Sequence, residues 1–134
     1  MSAQQGQTLA PAGEWAAELA ELQQRRASAL AMGGAQALAR MRDSGRMNAR
    51  ERIAALIDQG SFHEMGTLAG KGHYDAQGRY SHTDPTNAIV GTGRIDGRKV
   101  ALHVDDYSIR AGSSEGTIAD KWIYIERLAH QLRM

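Results

Sequence analysis

The chain has 134 residues, a formal net charge of +1 and no cysteine. This length suits a single domain, and the near-neutral charge gives no general reason to expect nucleic acid or an acidic membrane as a partner. Without cysteine, the chain forms neither a disulfide nor a thiolate metal site. Apolar residues make up 42% of the chain but aromatic residues only 5%, which predicts a core built mainly from Ile, Leu, Val and Met.

Known targeting patterns are absent from the sequence. No stretch approaches the roughly 18 consecutive apolar residues that cross a bilayer. The first 24 residues contain neither Lys nor Arg, so they lack the charged start of a secretory signal and the arginines of a mitochondrial transit peptide. We therefore expect a cytoplasmic protein that does not enter a membrane.

The first part of the chain is predicted to be a flexible tail, 1–13, followed by a helical N-terminal segment, 14–60. The tail holds almost no bulky side chains. Apolar residues at spacings of three and four then predict a helix over 14–31, which Gly33-Gly34 ends, and a shorter helix over 35–43.

A third helix is predicted to begin at Asn48, whose side chain has the chemistry of an N-cap. Glu51 follows three residues later and completes a capping box. Ile53, Leu56 and Ile57 are expected to form the buried stripe of this helix.

The last segment, 61–134, begins with weak patterns. Residues 62–69 resemble a strand, and 70–86 are predicted to form a polar loop. A loop of that length is uncommon in a compact domain and is often functional or disordered.

A β-hairpin and a helix are predicted after this loop. Residues 88–95 and 98–104 flank Asp96-Gly97, a dipeptide that favours the positive φ angles of a tight hairpin turn. Helical spacing returns over 117–132. The fold class is therefore α+β, with N-terminal helices followed by a β-hairpin and a helix.

Two longer stretches have the character of family motifs. In 48–64, an Ala-Arg-Glu-Arg-Ile helix leads into Asp-x-Gly-Ser-Phe-x-Glu, and 91–113 combines the hairpin with a strand and a glycine-containing loop. Together they resemble the N-terminal region of the carboxyltransferase (beta) subunit of biotin-dependent acyl-CoA carboxylases, of the propionyl-CoA and methylcrotonyl-CoA type. The resemblance covers about Ala20 to Met134. It implies that 61–134 is a partial crotonase-like (ClpP/crotonase) spiral unit of β-β-α composition.

The resemblance also implies a reaction, the transfer of CO2 from carboxybiotin to an acyl-CoA. The biotin would be carried by a partner protein, and the expected partners are a biotin carboxylase or carrier subunit and further copies or the remainder of the carboxyltransferase. In the family, the glycines that hold the enolate oxyanion follow the helix that here ends at Arg133-Met134. We therefore expect an N-terminal part of such an enzyme that is inactive alone, and we assign no catalytic residue.

The loop after the hairpin is the expected acyl-CoA contact. Small residues let backbone N–H groups approach an anionic or carbonyl oxygen. Ala111 stands where the family commonly has the first glycine of a Gly-Gly-Ser run. The alternative is an ordinary loop in which a Ser or Thr caps the next helix. The candidate acyl-CoA-binding residues are Arg50, Ala111, Gly112, Ser113 and Ser114.

The same loop matches Gly-x-Ser-x-Gly over 112–116, which would make Ser114 the nucleophile of a serine hydrolase. That fold places an acid and then a histidine after the nucleophile. Here Asp120 and His130 follow on one predicted helix, which cannot bring its own side chains back into a triad. The hydrolase is therefore the weakest of the functional hypotheses.

Basic residues are concentrated in 25–52, which holds seven arginines against Asp43 and Glu51. This stretch is either a solvated helical face or a patch for the phosphates of CoA, since Arg forks match phosphate geometry. Arg50 is assigned the polar role and Arg52 an ion pair. Nucleic-acid binding is not expected, because no aromatic platform accompanies the arginines.

No metal site is expected, because no two histidines lie three or four residues apart, the spacing that places them on one helical face. A second function class stays open beside the carboxyltransferase: a self-standing, non-catalytic assembly or acyl-CoA-binding module. A two-stranded hairpin with one covering helix is marginal alone, so the carboxyltransferase hypothesis predicts an apolar face that needs further strands.

Overall fold

A computed structural model describes residues 13–113 and 118–134. The tail predicted over 1–13 lies outside the described residues, apart from Gly13. The elements, in chain order, are the helices α1 (Ala16–Leu30), α2 (Ala35–Asp43) and α3 (Ala49–Leu56), the strands β1 (His63–Met65), β2 (Gly70–Tyr74), β3 (Tyr80–Pro85), β4 (Ala88–Ile95) and β5 (Arg98–Asp105), and the helix α4 (Ala119–Leu132).

The capping box at the start of α3 is confirmed. The Asn48 side chain accepts a hydrogen bond from the Glu51 N–H at 3.0 Å, and the Glu51 carboxylate accepts one from the Asn48 N–H at 2.8 Å. Ile53 and Ile57 are buried as expected. Leu56 is 54% exposed, so its place in the buried stripe is wrong. Three residues of helix place it roughly 60° to one side of Ile53, whereas Ile57 returns to the same face.

The predicted hairpin is confirmed as β4 and β5, which pair antiparallel around Asp96-Gly97. The turn is fixed from outside by the Asp58 carboxylate, which accepts hydrogen bonds from the Asp96 N–H at 2.9 Å and the Gly97 N–H at 2.8 Å. β1 adds to the other edge of β4, giving a three-stranded sheet in the order β1-β4-β5. The strand predicted over 62–69 is shortened to β1, because Gly66 turns the chain with a φ of 63°.

The polar loop predicted over 70–86 is wrong: β2 and β3 form a second antiparallel hairpin there. Its turn is held by the Asp75 carboxylate, which accepts hydrogen bonds from the Gln77 and Arg79 N–H groups at 2.9 Å. The strands carry glycine and polar residues, so they lack the apolar alternation that marks a half-buried strand in a sequence. They are covered instead by α1, where the Arg25 guanidinium lies 4.3 Å from the centre of the Tyr80 ring.

The main core lies between α3 and one face of the three-stranded sheet. It contains Met32, Ile53, Ile57 and Ile89, with Phe62 and the β5 side chains against it. α4 packs against β4 and β5 on the other face of the sheet, where Ile125 is buried. The ring of Trp122 lies nearly parallel to that of His103, with 6.4 Å between the ring centres. α1 buries none of its residues.

The structure is thus a mixed α and β fold, in agreement with the predicted class. Because Ile53 and Ile89 belong to one core, the helical segment 14–60 and the segment 61–134 pack together, and their division into two units stays a prediction. Within the described residues, no helix has the length and apolar character needed to span a membrane.

Candidate functional site

The turn after β5 is held by a buried carboxylate. Asp106 is 1% exposed, and its Oδ1 accepts hydrogen bonds from the Ser108 N–H at 2.9 Å and the Ser108 hydroxyl at 2.6 Å. The Asp106 N–H donates to the Asn87 carbonyl at 2.6 Å. These contacts fix the backbone that enters the candidate loop, so the structure gives Asp106 the role of a turn former.

The link between α1 and α2 contacts this turn directly. The Gly33 N–H donates to the Ser108 hydroxyl oxygen at 3.0 Å. A serine that bridges Asp106 and Gly33 ties the N-terminal helices to the loop beyond β5. The loop beyond β5 is therefore held both by Asp106 beside it and by Gly33 in the link between α1 and α2.

The loop then takes three consecutive left-handed residues, Arg110, Ala111 and Gly112, with φ angles of 47°, 51° and 72°. Only glycine adopts this region without steric cost, which explains physically why a glycine would be preferred at the position of Ala111. The Gly112 N–H donates to the Ile109 carbonyl and the Ser113 N–H to the Arg110 carbonyl, both at 3.0 Å. These two N–H groups are thus used inside the turn.

The end of the loop is anchored by the residue that precedes β4. The fully buried Asn87 donates from Nδ2 to the Ser113 carbonyl at 2.6 Å. Ser114, both as a candidate CoA contact and as a hydrolase nucleophile, lies outside the described residues, as does Thr117. The N-cap position of α4 is Ile118, which makes no side-chain capping bond, so Ser113 does not cap that helix. In α4, Asp120 and His130 stand ten residues, or roughly 15 Å, apart along the axis, which opposes a triad.

Two open clefts border the loop. One, of about 420 Å³, lies between α2 and the loop. It is lined by Ala37, Arg40, Met41, Ser44, Arg46, Tyr107, Ser108, Arg110 and Ala111. Three arginines and the half-exposed Tyr107 therefore line one cleft, and the Arg46 guanidinium lies 5.5 Å from the centre of the Tyr107 ring. The other cleft, of about 700 Å³, is also lined by Ser108 and Arg110 and reaches Lys71 and Asp84 on the second hairpin.

Arg50 forms an ion pair in the structure. Its guanidinium makes a two-pronged contact with the Glu64 carboxylate, at 2.7 Å and 3.2 Å. The sequence predicts an ion pair at Arg52 instead, and CoA contact by Arg50 stays a prediction. Arg50 is not among the described residues that line either of the two clefts. The structure thus brings Ala111 together with Arg40 of α2 and Arg46 of the link between α2 and α3, neither of which was a candidate binding residue from the motifs.

A buried lysine beside this ion pair escaped sequence analysis. Lys121 in α4 is 8% exposed, and its aliphatic chain passes over Gly66. Burial lowers the pKa of its ammonium group, and the nearby Glu64 carboxylate opposes this shift. A signal was available, because Lys121 precedes Ile125 by four residues on the apolar stripe of α4.

Residues 40–134 match the model of the carboxyl transferase domain. The chain belongs to this family. A curated relative, the biotin-dependent acetyl-/propionyl-coenzyme A carboxylase beta5 subunit of Mycobacterium tuberculosis, is 34% identical over 116 residues, which cover 85% of this chain and 21% of that protein. The propionyl-CoA carboxylase beta chain of Cereibacter sphaeroides is 34% identical over 113 residues, covering 84% and 22%. The chain thus spans about a fifth of the length of the curated relatives it matches.

The family match extends to the fold. A single-chain, multi-domain long-chain acyl-CoA carboxylase has a TM-score of 0.71 and 28% identity, over 88% of this chain and 13% of that one. The resemblance to carboxyltransferase subunits deduced from 48–64 and 91–113 is therefore confirmed.

Proposed function

We propose that this chain forms the helical entry, the first hairpin and part of the CoA pocket of an acyl-CoA carboxyltransferase, which moves CO2 from carboxybiotin to an acyl-CoA. Family membership and the relatives named for acetyl- and propionyl-CoA carboxylation support this proposal. In it, β4, β5 and α4 form one unit of a crotonase-like spiral. Biotin would be supplied by a partner carrier, and further copies or the remainder of the enzyme would complete the assembly.

The observation that carries the proposal is the cleft between α2 and the left-handed loop. Arg40, Arg46 and Arg110 place three cationic groups around one opening. CoA carries a diphosphate and a 3′-phosphate, and guanidinium groups bind phosphate oxygens through paired hydrogen bonds. Tyr107, at the same opening, offers a ring face for the adenine base. The cleft therefore suits the nucleotide end of CoA.

The loop residues predicted from the family keep a place in this proposal. Ala111 lines the cleft, and the pantetheine arm and thioester are proposed to contact the residues that follow it in the sequence, Gly112, Ser113 and Ser114. Arg50 would act indirectly, because its pairing with Glu64 holds α3 against β1.

We also propose that the 134-residue chain does not carboxylate acyl-CoA by itself. Stabilising an enolate oxyanion needs N–H donors that are free to point at it. In the described loop, the Gly112 and Ser113 N–H groups already donate to carbonyls of the turn. The chain is therefore proposed to bind the substrate without providing the oxyanion site.

Isothermal titration of the 134-residue chain with CoA tests the proposal. We expect saturable 1:1 binding, weakened about tenfold by Arg40→Gln and by Arg46→Gln, because an exposed charge-assisted hydrogen bond contributes about 1.5 kcal/mol. Arg98→Gln is the matched control, since Arg98 lies at the start of β5, outside the residues of the cleft. Absence of saturable binding at millimolar CoA, or equal losses in all three variants, would overturn the proposal.

A further inference from the structure

The second hairpin gathers three metal-ligating side chains that lie far from helical spacing in the sequence. His73 in β2 is the register partner of His82 in β3, and Asp84 follows two residues later on the same strand. A two-residue step returns to the same face of a strand, so all three side chains meet on one side of the hairpin. The expectation of no metal site considered only helical spacing, which does not apply to two paired strands.

The geometry of this cluster suits a single ion. The two imidazole rings stack at 4.3 Å between centres with an interplanar angle of 3°. His73 Nε2 lies 2.8 Å from Asp84 Oδ2, and His82 Nε2 lies 3.8 Å from Asp84 Oδ1. One ligand atom from each residue falls within 4.8 Å of the other two. Ligands of a tetrahedral zinc ion stand roughly 3.3 Å apart, so modest side-chain rotations bring all three onto one centre.

The chemistry of the donor groups also favours a cation. Two histidine imidazoles with one carboxylate are a donor set that suits Zn²⁺ and related transition ions. Lys71, the register partner of Asp84, is the nearby cation that opposes binding.

We propose that His73, His82 and Asp84 form a surface site for a divalent transition-metal ion, with Zn²⁺ as the chemical type. The ion bridges β2 and β3 and keeps an open coordination position for water or an anionic group. Because Asp84 and Lys71 also line the larger cleft, the bound ion adds positive charge at its edge. The three ligands lie on the second hairpin, whereas the proposed CoA contacts lie on α2, in the link after it and in the loop beyond β5.

A bound ion uses the imidazole rings of both strands. The Ser81 hydroxyl lies 3.1 Å from His82 Nδ1, and the other ring nitrogen of His82, Nε2, lies 3.8 Å from the Asp84 carboxylate. The ion also cross-links two short strands, of which β2 contains two glycines. A two-stranded hairpin of this kind is marginal without added cross-links.

Zinc titration of the chain, prepared without a polyhistidine tag, tests the proposal by calorimetry. We expect one ion per chain and an increase of the melting temperature on zinc addition, because an ion that binds only the folded state stabilises it. His73→Gln and His82→Gln should each weaken binding by at least about 10- to 100-fold. Losing a residue that only hydrogen-bonds to a metal ligand already has an effect of this size, and these two histidines are proposed as ligands themselves. His130→Gln, a change at an exposed histidine of α4, should bind zinc as the parent chain does.

Two results would overturn the proposal. One is the absence of saturable binding at millimolar zinc. The other is a stoichiometry and affinity that stay unchanged in the His73→Gln/His82→Gln double variant. Asp84→Asn gives an independent check: it keeps the shape of the side chain but removes the charged ligand, and it should weaken binding while circular dichroism shows a folded chain.

Discussion

Replacing Gly33 by alanine should destabilise the chain strongly, because this residue has no room for a side chain. A Cβ atom there would lie 2.1 Å from the carbonyl oxygen and 2.5 Å from the carbonyl carbon of Ser108. Both are backbone atoms in a turn fixed by Asp106, so they cannot rotate away. The link between α1 and α2 would have to move off the turn.

The cost follows from two contributions. Forced overpacking of this kind costs about 1–3 kcal/mol. The displacement also breaks the 3.0 Å hydrogen bond from the Gly33 N–H to the Ser108 hydroxyl, which contributes about 1 kcal/mol. The free energy of unfolding should therefore fall by roughly 2–4 kcal/mol, a large part of the 5–15 kcal/mol typical of a domain.

Urea unfolding followed by circular dichroism measures this change, with Gly45→Ala as the matched control. Gly45 follows α2 with a φ of 72° and open space around its Cβ position, so alanine there meets only the conformational cost of about 1 kcal/mol. Ser108→Ala should not rescue Gly33→Ala, because the clash involves the Ser108 backbone. A loss at Gly33 no greater than that at Gly45, or a rescue by Ser108→Ala, would refute the close approach of the two segments.

Three further substitutions have defined outcomes. Asn48→Ala removes the capping side chain of α3 and should lower the free energy of unfolding by about 1 kcal/mol in urea unfolding; no change would contradict the role of the cap. Asp58→Ala removes the acceptor for the Asp96 and Gly97 N–H groups and should cost about 2 kcal/mol, with faster hydrogen exchange at both amides; unaltered exchange would be evidence against this brace. Lys121→Met should leave the chain at least as stable at pH 7, because burial disfavours the charged ammonium and lowers its pKa in the folded state. As pH rises from the folded pKa towards 10.5, the unfolded lysine binds more protons, so the parent chain gains stability and the difference should shrink; a difference that widens would show that Lys121 is favourably charged.

The fold could be predicted where the signals are local. The Asn48–Glu51 capping box and the Asp96-Gly97 turn each depend on residues a few positions apart, and α3 and the β4–β5 hairpin appear where those signals place them. The second hairpin could not be predicted this way. Its strands are polar and depend on α1 for cover, which is a tertiary contact that no local pattern records.

The candidate site, like the fold, could be predicted from the sequence only where the signal is local. The loop around Ala111 is marked by its small residues and family resemblance, but Arg40 and Arg46, which line the same cleft, come from α2 and the link after it, roughly 70 residues earlier in the chain. Arg50 was chosen from its place in the 48–64 motif, which also contains its partner Glu64. That these two residues pair depends on how α3 packs against β1, which the motif does not record. Lys121 could have been recognised as a charge on an apolar stripe.

The central proposal is that α2 and the left-handed loop form a CoA-binding surface, and mapping amide shifts tests it most directly. A ¹H–¹⁵N correlation spectrum of the chain, recorded during titration with CoA, should show saturable shifts at Arg40, Arg46, Tyr107 and Ala111. The amides of β2 and β3 should stay in place and serve as the internal control. Shifts confined to that hairpin, or none at millimolar CoA, would contradict the proposal.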